Sequence, residues 1–324
     1  MSAALNKIKA PISEELKMFE KHFKKTMQSN VALLDKIMYY IVQRKGKQMR
    51  PMFVFLVAKM CGEINDSTYN AAVLTEILHT ATLVHDDVVD DSLERRGFFS
   101  INALWKNKIA VLVGDFLFSR GFLMAIDNQE YKQLHILSES VKKMSEGELL
   151  QLEKARKLDI SEALYYDIIR DKTASLLASA CSLGVASVSK DESLIEKGRL
   201  LGEKIGMAFQ IKDDLFDYGD DNIGKPKGID IKEKKMTLPL IYALQNTTRS
   251  TKRKIINTIK KDSTKTDKVA EVISFVNESG GLEYTKKVMY TYQNEALELL
   301  ESFPQNSATE SIRSLILYVT ERKK

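Results

Sequence analysis

The sequence predicts an all-α fold, a single domain over residues 1–324 built as a bundle of about ten or more helices. Three observations favour it. Apolar residues recur at three- and four-residue spacing along most of the chain. Glycine and proline, which interrupt helices, number only 15 and 5 among 324 residues. No stretch alternates between apolar and polar residues for long enough to indicate a strand.

Two segments, 69–87 and 101–126, are apolar on nearly all sides, which predicts long buried helices. A third, 194–218, predicts another long and mostly buried helix. Polar or breaker-rich stretches predict loops at 219–235, 246–252, 260–267 and 303–307.

The bulk properties exclude several classes of protein. A net charge of +5 does not require a nucleic-acid partner, and no zinc-finger or aromatic-basic motif is present. Cys61 and Cys181 stand far apart in apolar surroundings, which predicts buried free thiols in a reducing compartment. The chain begins without a signal peptide and has no apolar run of about 20 residues. We expect a cytoplasmic protein without a transmembrane segment, and peripheral membrane contact stays open.

Two aspartate motifs of matching form each end a long apolar helix: "DDVVD" at 86–90 and "DDLFD" at 213–217. At about 3.6 residues per turn, Asp86 and Asp90 project from one face, where like charges repel and oppose the helix dipole. One such cluster is typical of a solvated helix end, but a matched pair indicates cation binding. Donors that are all carboxylate oxygens favour Mg²⁺ or Mn²⁺, shared with substrate phosphates.

Basic residues accompany both motifs. Taken singly, each is typical of a surface charge, but together they suit diphosphate groups. They are Arg95 and Arg96 after the first motif, Lys47 and Arg50 in "GKQMRP" at 46–51, Lys172 in "RDKTAS", and Lys225 and Lys235 after the second motif. "GKQMRP" is not a Walker A loop, because it lacks the first glycine and the Lys-Ser/Thr pair.

These motifs occur in a fixed order with "LHTATLVHDDVVDDSLERRG", "VGDFLFSR", "GELLQL", "DKTASL", "FQIKDDLFD" and "GKPKGIDIKEKKMTLP". The ordered set resembles the trans-isoprenyl diphosphate (polyprenyl) synthase family from 46–51 to 234–244, and more weakly toward both ends. The resemblance implies helices around a deep apolar cavity, with the two aspartate motifs facing each other across its mouth.

The resemblance also implies a reaction: Mg²⁺-assisted ionisation of an allylic diphosphate, head-to-tail (1′-4) condensation with isopentenyl diphosphate, and loss of a proton. It implies three Mg²⁺ ions per active site, replaceable by Mn²⁺, and a homodimer. Carried over, the metal ligands are Asp86, Asp87, Asp90, Asp213, Asp214 and Asp217. The allylic diphosphate contacts are Arg95, Lys172, Lys225 and Lys235. The isopentenyl diphosphate contacts are Lys47, Arg50, His79 and Arg96. The catalytic residues are Lys172, Thr173 and Gln210. His79, read alone, is typical of a core histidine.

Residues just before the first aspartate motif bear on the length of the product. Ala81 and Thr82 are small and lie five and four residues before Asp86. The resemblance implies that aromatic side chains here close the cavity, whereas small ones leave it open past Leu78, with Phe122 or Met124 as the floor. Small residues chosen only for helix packing are the other interpretation.

We therefore predict an all-trans C30–C40 polyprenyl diphosphate, with geranylgeranyl (C20) diphosphate as the alternative. Three further hypotheses are a non-catalytic subunit of a heteromeric synthase, a terpene cyclase and a helical scaffold. Two intact aspartate motifs count against the first. The basic residues of the isopentenyl diphosphate set count against the second.

Overall fold

The computed structural model describes residues 3–44, 46, 48–95, 97–155, 158–218 and 228–321. Its helices in chain order are α1 (Ala3–Lys9), α2 (Ser13–Thr26), α3 (Ala32–Gln43), α4 (Met49–Cys61), α5 (Asp66–Val89), α6 (Ile101–Asp127), α7 (Tyr131–Ala155), α8 (Glu162–Ile169), α9 (Ser175–Ala186), α10 (Glu192–Tyr218), α11 (Ile229–Lys232), α12 (Leu238–Gln245), α13 (Arg249–Asp262), α14 (Thr266–Glu278), α15 (Gly281–Leu300) and α16 (Ser307–Glu321). A 3₁₀ turn covers Ala10–Ile12 and a π-helical turn covers Arg170–Ala174. The all-α prediction is confirmed.

One small hairpin departs from that prediction. Strands β1 (Glu94–Arg95) and β2 (Phe98–Phe99) pair antiparallel directly after the first aspartate motif. Gly97 in their turn has a φ of 76°, which glycine adopts without the steric cost of a Cβ. Two-residue strands are too short to show an alternating pattern, so the sequence gives no signal for them.

The described chain divides into two compact units, and the prediction of one domain over 1–324 stays a prediction. The first unit comprises Met1–Glu139, Ser179–Arg199 and Phe303–Ile312. Its core contains α4, buried from Pro51 to Ala58, and α5, which packs against α2, α4 and α6. A capping box between Asn65 and Thr68 starts α5, and most of its apolar side chains are buried, whereas Val89 at its end is 59% exposed.

Helix α6 is less buried than its sequence predicts. Leu112 and Leu123, both expected inside, are 61% and 54% exposed. Among the described helices, α6 alone is long and apolar enough to cross a membrane, and 33% of its apolar stretch is buried. A single helix of this kind is weak evidence for a span. The prediction failed because an apolar stripe facing outward and one facing the core have the same sequence pattern.

The second unit comprises Ser140–Ala178, Leu200–Ser302 and Arg313–Lys324. Within it, α12 packs on α8, α14 and α15, and α13 packs on α14. Three of its predicted loops are partly helical: α11 lies inside 219–235, and α13 occupies parts of both 246–252 and 260–267. The reason for the second is local: Thr248 caps α13 at the amide of Thr251, and Ile255 and Ile259 bury one face.

Candidate active site

The first aspartate motif occupies the last turn of α5. The amide of Asp90 donates to the Asp86 carbonyl at 2.8 Å, so the helical path continues through the motif and both side chains share a face. Asp86 is half-buried and Asp90 exposed. Asp87 points elsewhere: it is 3% exposed and accepts a 2.6 Å charged hydrogen bond from Arg95 Nε. Burial raises the pKa of Asp87, and Arg95 opposes that shift.

Glycine lets α6 approach this end of α5. A Cβ on Gly114 would lie 2.0 Å from His85 Nε2, so any side chain there would force the His85 ring to move. His85 Nε2 lies 3.2 Å from the carbonyl oxygen of Val111 and neighbours Asp86 in sequence. Gly114 of "VGDFLFSR" therefore leaves the space that is occupied by His85, the residue before the motif.

A cavity of about 100 Å³ lies beside the first motif in the first unit. It brings together three predicted residues, His79, Asp87 and Arg95. Arg50, half-buried at the start of α4, is not among the described residues lining this cavity. Lys47, Arg96 and, at the second motif, Lys225 lie outside the described residues.

Two residues of this cavity were not found from the sequence. The guanidinium of Arg44 lies 3.5 Å from the ring centroid of Tyr40 and 4.6 Å from that of Phe98, a cation–π arrangement on both. Glu76 lies one turn before His79 and also lines the cavity. The available signal was proximity: Arg44 stands two residues before "GKQMRP".

The second aspartate motif ends α10. Asp213 is half-buried, whereas Asp214 is 3% exposed. Tyr165 donates to Asp214 Oδ2 at 2.7 Å and Gln210 Nε2 donates to Oδ1 at 2.9 Å. Burial, with added repulsion from Asp230, raises the pKa of Asp214 from 3.8 to about 7. Burial and the charge of Asp217 raise the pKa of Asp230 to about 6.

Asp217 serves the backbone. Its Oδ1 accepts from the amide of Ile229 at 2.8 Å and its Oδ2 from the amide of Asp230 at 3.2 Å. These are the first amides of α11, so Asp217 satisfies the start of that helix. Both oxygens of Asp214 and of Asp217 thus accept hydrogen bonds from protein groups.

Lys172 and Thr173 lie in the π-helical turn between α8 and α9. Wide turns of this kind are found mostly at functional sites. Lys172 Nζ is ion-paired with Glu148 of "GELLQL". Neighbouring glycines make room for the turn: a Cβ on Gly147 would meet Lys172 N at 3.1 Å, and one on Gly206 would meet Ala174 Cα at 2.6 Å.

A second cavity, of about 220 Å³, lies within the second unit. Its polar lining collects predicted residues from separate segments: Lys172, Thr173, Gln210, Asp214 and Lys235. Thr173 donates to Gln210 Oε1 at 2.9 Å. Lys235 Nζ also lies 2.5 Å from Glu233. Tyr165 and Asp230, which line the same cavity, were not found from the sequence.

The predicted product tunnel corresponds to a buried apolar row on α5. Ala81, Leu78 and Leu74 are each 0% exposed, and the hydroxyl of the half-buried Thr82 donates back to the His79 carbonyl. The α6 residue facing the row is Gly121, whose Cβ would meet Leu74 and Leu78 at 3.2 and 3.3 Å.

Phe122 is one of the two predicted floor residues, and that role stays a prediction. It is 36% exposed, and its ring centroid lies 6.1 Å from that of Phe118 on the same helix. Met124, the other, is half-buried.

Comparison with known proteins identifies the family. A family model described as polyprenyl synthetase matches residues 31–276. The all-trans-nonaprenyl-diphosphate synthase (geranyl-diphosphate specific) of Rhodobacter capsulatus is 37% identical over 97% of both chains. A crystal structure of polyprenyl synthase from Caulobacter crescentus CB15, complexed with calcium and isoprenyl diphosphate, superposes with a TM-score of 0.91 at 32% identity, covering 99% of this chain and 98% of that one.

A geranylgeranyl pyrophosphate synthase from Bacteroides thetaiotaomicron superposes with a TM-score of 0.85 at 37% identity, covering 99% of this chain and all (100%) of that one. Sequence and fold thus agree along nearly the whole length, and the helices described above form an isoprenoid synthase fold. The chain belongs to the polyprenyl synthetase family of prenyltransferases, the enzymes that make polyprenyl diphosphates.

Proposed function

We propose that this prenyltransferase condenses isopentenyl diphosphate with an allylic diphosphate and repeats the step to give an all-trans C30–C40 polyprenyl diphosphate. One observation carries the assignment of its site. Lys172 and Thr173 of "DKTASL" and Gln210 of "FQIKDDLFD" line one polar cavity together with Asp214 and Lys235. Such convergence of basic and polar groups suits a diphosphate and the carbon chain attached to it.

The acidic residues fit Mg²⁺, with Mn²⁺ as a substitute. Within the described residues, no three His, Cys, Asp or Glu side chains form a ready-made metal cluster. Mg²⁺ does not need one, because it commonly binds one or two carboxylates and completes its shell with water and substrate phosphates. Asp86 and Asp90, one turn apart at the end of α5, are such a pair, and Asp213 would supply a carboxylate from α10.

The protein partners of Asp87, Asp214 and Asp217 define supporting roles for these three aspartates. Asp87 is ion-paired with Arg95, and it would reach a cation only by sharing an oxygen. Asp214 and Asp217 hold Gln210 and the start of α11, respectively. Three ions would be held per active site by the motif aspartates, and they would supply the positive charge that makes a diphosphate a better leaving group.

The protein residues then act on the organic groups. Arg95, Lys172, Lys235 and, outside the described residues, Lys225 bind the allylic diphosphate. When the C–O bond breaks, its electron pair leaves with the diphosphate and an allylic cation remains. The double bond of isopentenyl diphosphate attacks that cation, and the new chain loses a proton. The departed diphosphate takes the proton, since the motif sequences offer no obvious general base.

Isopentenyl diphosphate binds at His79 and Arg50, with Lys47 and Arg96 beyond the described residues. The first cavity, which contains His79, supplies Arg44 as an additional cation. The buried row of Ala81, Leu78 and Leu74 keeps water from the growing chain, which would otherwise trap the cation.

The buried row on α5 bears on the length of the product. The row consists of Ala81, Leu78 and Leu74, with no aromatic side chain among them, and Gly121 of α6 faces Leu74 and Leu78 without a side chain of its own, which favours a long product. A C20 product is the second candidate, because a geranylgeranyl pyrophosphate synthase is also 37% identical. A non-catalytic subunit is disfavoured by two complete aspartate motifs.

One experiment separates these functions. The purified protein is incubated with labelled isopentenyl diphosphate, Mg²⁺ and allylic primers of several lengths, and the products are sized by chromatography. C30–C40 products are expected. A ladder that stops at C20 favours the alternative, and no product from any primer rejects elongation by this chain alone. Heat-inactivated protein is the control for non-enzymatic loss of label.

We propose a cytoplasmic homodimer that pairs through α6. This helix exposes an apolar stripe, with Leu112 and Leu123 three turns apart, and so large a face is seldom left to solvent. Sedimentation velocity should give a dimer, and Leu112→Lys with Leu123→Lys should give monomers. Exposed Leu33→Lys, outside the stripe, should leave the dimer intact. A monomeric native protein contradicts the assignment.

A further inference from the structure

Tyr165 of α8 is the buried residue beside the second motif that the proposed function does not use. Its side chain is 3% exposed and its hydroxyl lies 2.7 Å from Asp214 Oδ2. Phenylalanine could fill the same apolar space, so packing does not account for the hydroxyl. A buried tyrosine hydroxyl needs a polar partner, and here that partner belongs to a motif aspartate.

The hydrogen bonds beyond Asp214 have one consistent direction. An Oδ1 without a proton can only accept, and it accepts a hydrogen bond from the Gln210 amide nitrogen Nε2 at 2.9 Å. The amide is thereby fixed with Oε1 toward Thr173, at 2.9 Å from its hydroxyl. Thr173 must donate to that oxygen. The Thr173 proton therefore points to Gln210, and the lone pairs of its oxygen remain for the cavity.

This direction holds for ionised Asp214 and for Asp214 protonated on Oδ2, the oxygen that faces Tyr165. If Oδ2 carried a proton, it would donate to the Tyr165 hydroxyl and Oδ1 would still accept from Gln210. Without the Tyr165 hydroxyl, Oδ2 has no partner in this arrangement. The carboxyl group is then free to turn, and the amide of Gln210 can turn with it. A turned amide would offer N–H to Thr173 and reverse its hydroxyl.

We propose that Tyr165 is a positioning residue, which acts through Asp214 and Gln210 to keep the lone pairs of Thr173 directed into the cavity. The inference rests on the proposed function, in which an allylic cation forms in that cavity. A fixed oxygen lone pair stabilises a developing positive charge without reorganising during the reaction. A reversed hydroxyl would present a proton to the cation instead.

The test compares Tyr165→Phe with Tyr166→Phe, its neighbour on α8. Tyr166 also donates to a carboxylate, Glu162, at 2.7 Å, but neither residue lines the second cavity. Single-turnover condensation isolates chemistry from release of a long apolar product. Tyr165→Phe should slow it about tenfold, the lower end of the range for groups that orient active residues. KM for both substrates should change by less than about twofold. Tyr166→Phe should match the native rate.

A double-mutant cycle with Thr173→Val tests the route of the effect. If Tyr165 acts through Thr173, Tyr165→Phe should cause no further loss in the Thr173→Val background. Multiplicative losses, a rise in KM alone, or equal effects of the two Tyr→Phe variants would overturn the inference. Circular dichroism and thermal unfolding of the metal-free variants exclude misfolding as the cause.

A third variant keeps the test valid if Tyr165→Phe does not fold. Replacing Tyr165 with 4-aminophenylalanine retains the shape of the ring and an N–H donor. It should recover most of the native rate, and a folded variant that stays about tenfold slow would overturn the inference. Failure of the proposed function is distinct, because the native protein would then make no product at all.

Discussion

Replacing Asp214 with asparagine should stabilise the metal-free protein above neutral pH. Asparagine can keep both hydrogen bonds, since its oxygen accepts from Gln210 and its amide donates to the Tyr165 oxygen. Below pH 3.8 the carboxyl group of Asp214 is neutral whether the chain is folded or not. As pH rises toward about 7, the unfolded chain loses this proton while the folded one keeps it, so the free energy of unfolding falls.

The size of that loss follows from the pKa difference. A pKa raised from 3.8 to about 7 corresponds to about 4 kcal/mol, fully expressed above pH 7. This is an upper value for Asp214→Asn, and about 3 kcal/mol of it should develop between pH 5 and pH 8. A carboxylate kept at such a cost is retained for what it does rather than for stability.

Urea unfolding with a chelator, at pH 5 and pH 8, measures the effect. Asp214→Asn should gain on the native protein as pH rises, whereas Asp90→Asn, an exposed motif aspartate, should follow the native curve. If Asp214→Asn is no more stable at pH 8, or shows the native dependence on pH, the argument from burial is refuted.

The remaining predictions concern the tunnel, the thiols and one glycine. Ala81→Tyr should shorten the chromatographed product by filling the buried row, and unchanged product would reject the tunnel. Burial raises the pKa of Cys61 to about 12 and that of Cys181 further, so both thiols stay neutral at pH 8 and should react with a thiol reagent far more slowly in native protein than in urea. Cys181 is buried and Cys61 partly buried, and fast native labelling of both would contradict this prediction. Gly206→Ala places a Cβ 2.6 Å from Ala174 Cα, and should lower the free energy of unfolding by about 1–3 kcal/mol in urea titration. An unchanged midpoint would mean that α10 shifts to accommodate the methyl group.

The helix class and the aspartate motifs could be predicted because they depend on local pattern. Apolar periodicity specifies α5 and α10 directly, and a carboxylate cluster at the end of an apolar helix is visible as a charge that the helix itself disfavours. The exposed side of α6 could not be predicted, because Leu112 and Leu123 fit a core as well as a surface. The N-cap residue of α13, Thr248, is recognisable in the sequence, but the polar residues around it favoured the prediction of a loop.

The individual roles of the motif residues depend on the three-dimensional fold. Asp86 and Asp87 are adjacent in sequence, yet Arg95 holds one of them inward at 2.6 Å. Asp217 matches the metal-binding pattern, but only the fold places the first amides of α11 against its oxygens. Tyr165 lies outside the motifs recognised in the sequence. Its separation from Thr173, eight residues, is not a multiple of the helical period.

The sequence separation of Tyr165 and Thr173 affects how related sequences should be aligned. Tyr165 and Thr173 are eight residues apart, a spacing that would turn their side chains about 80° from each other in a straight α-helix. The turn at Arg170–Ala174 takes up one additional residue, so the pair behaves as if separated by seven, close to two full turns, and both line one cavity. A relative with a straight helix here would align the same two groups at a spacing of seven. An alignment of related sequences across this turn should therefore allow a gap of one residue. Without that gap, Tyr165 would be aligned with a residue that does not occupy the same position in the fold.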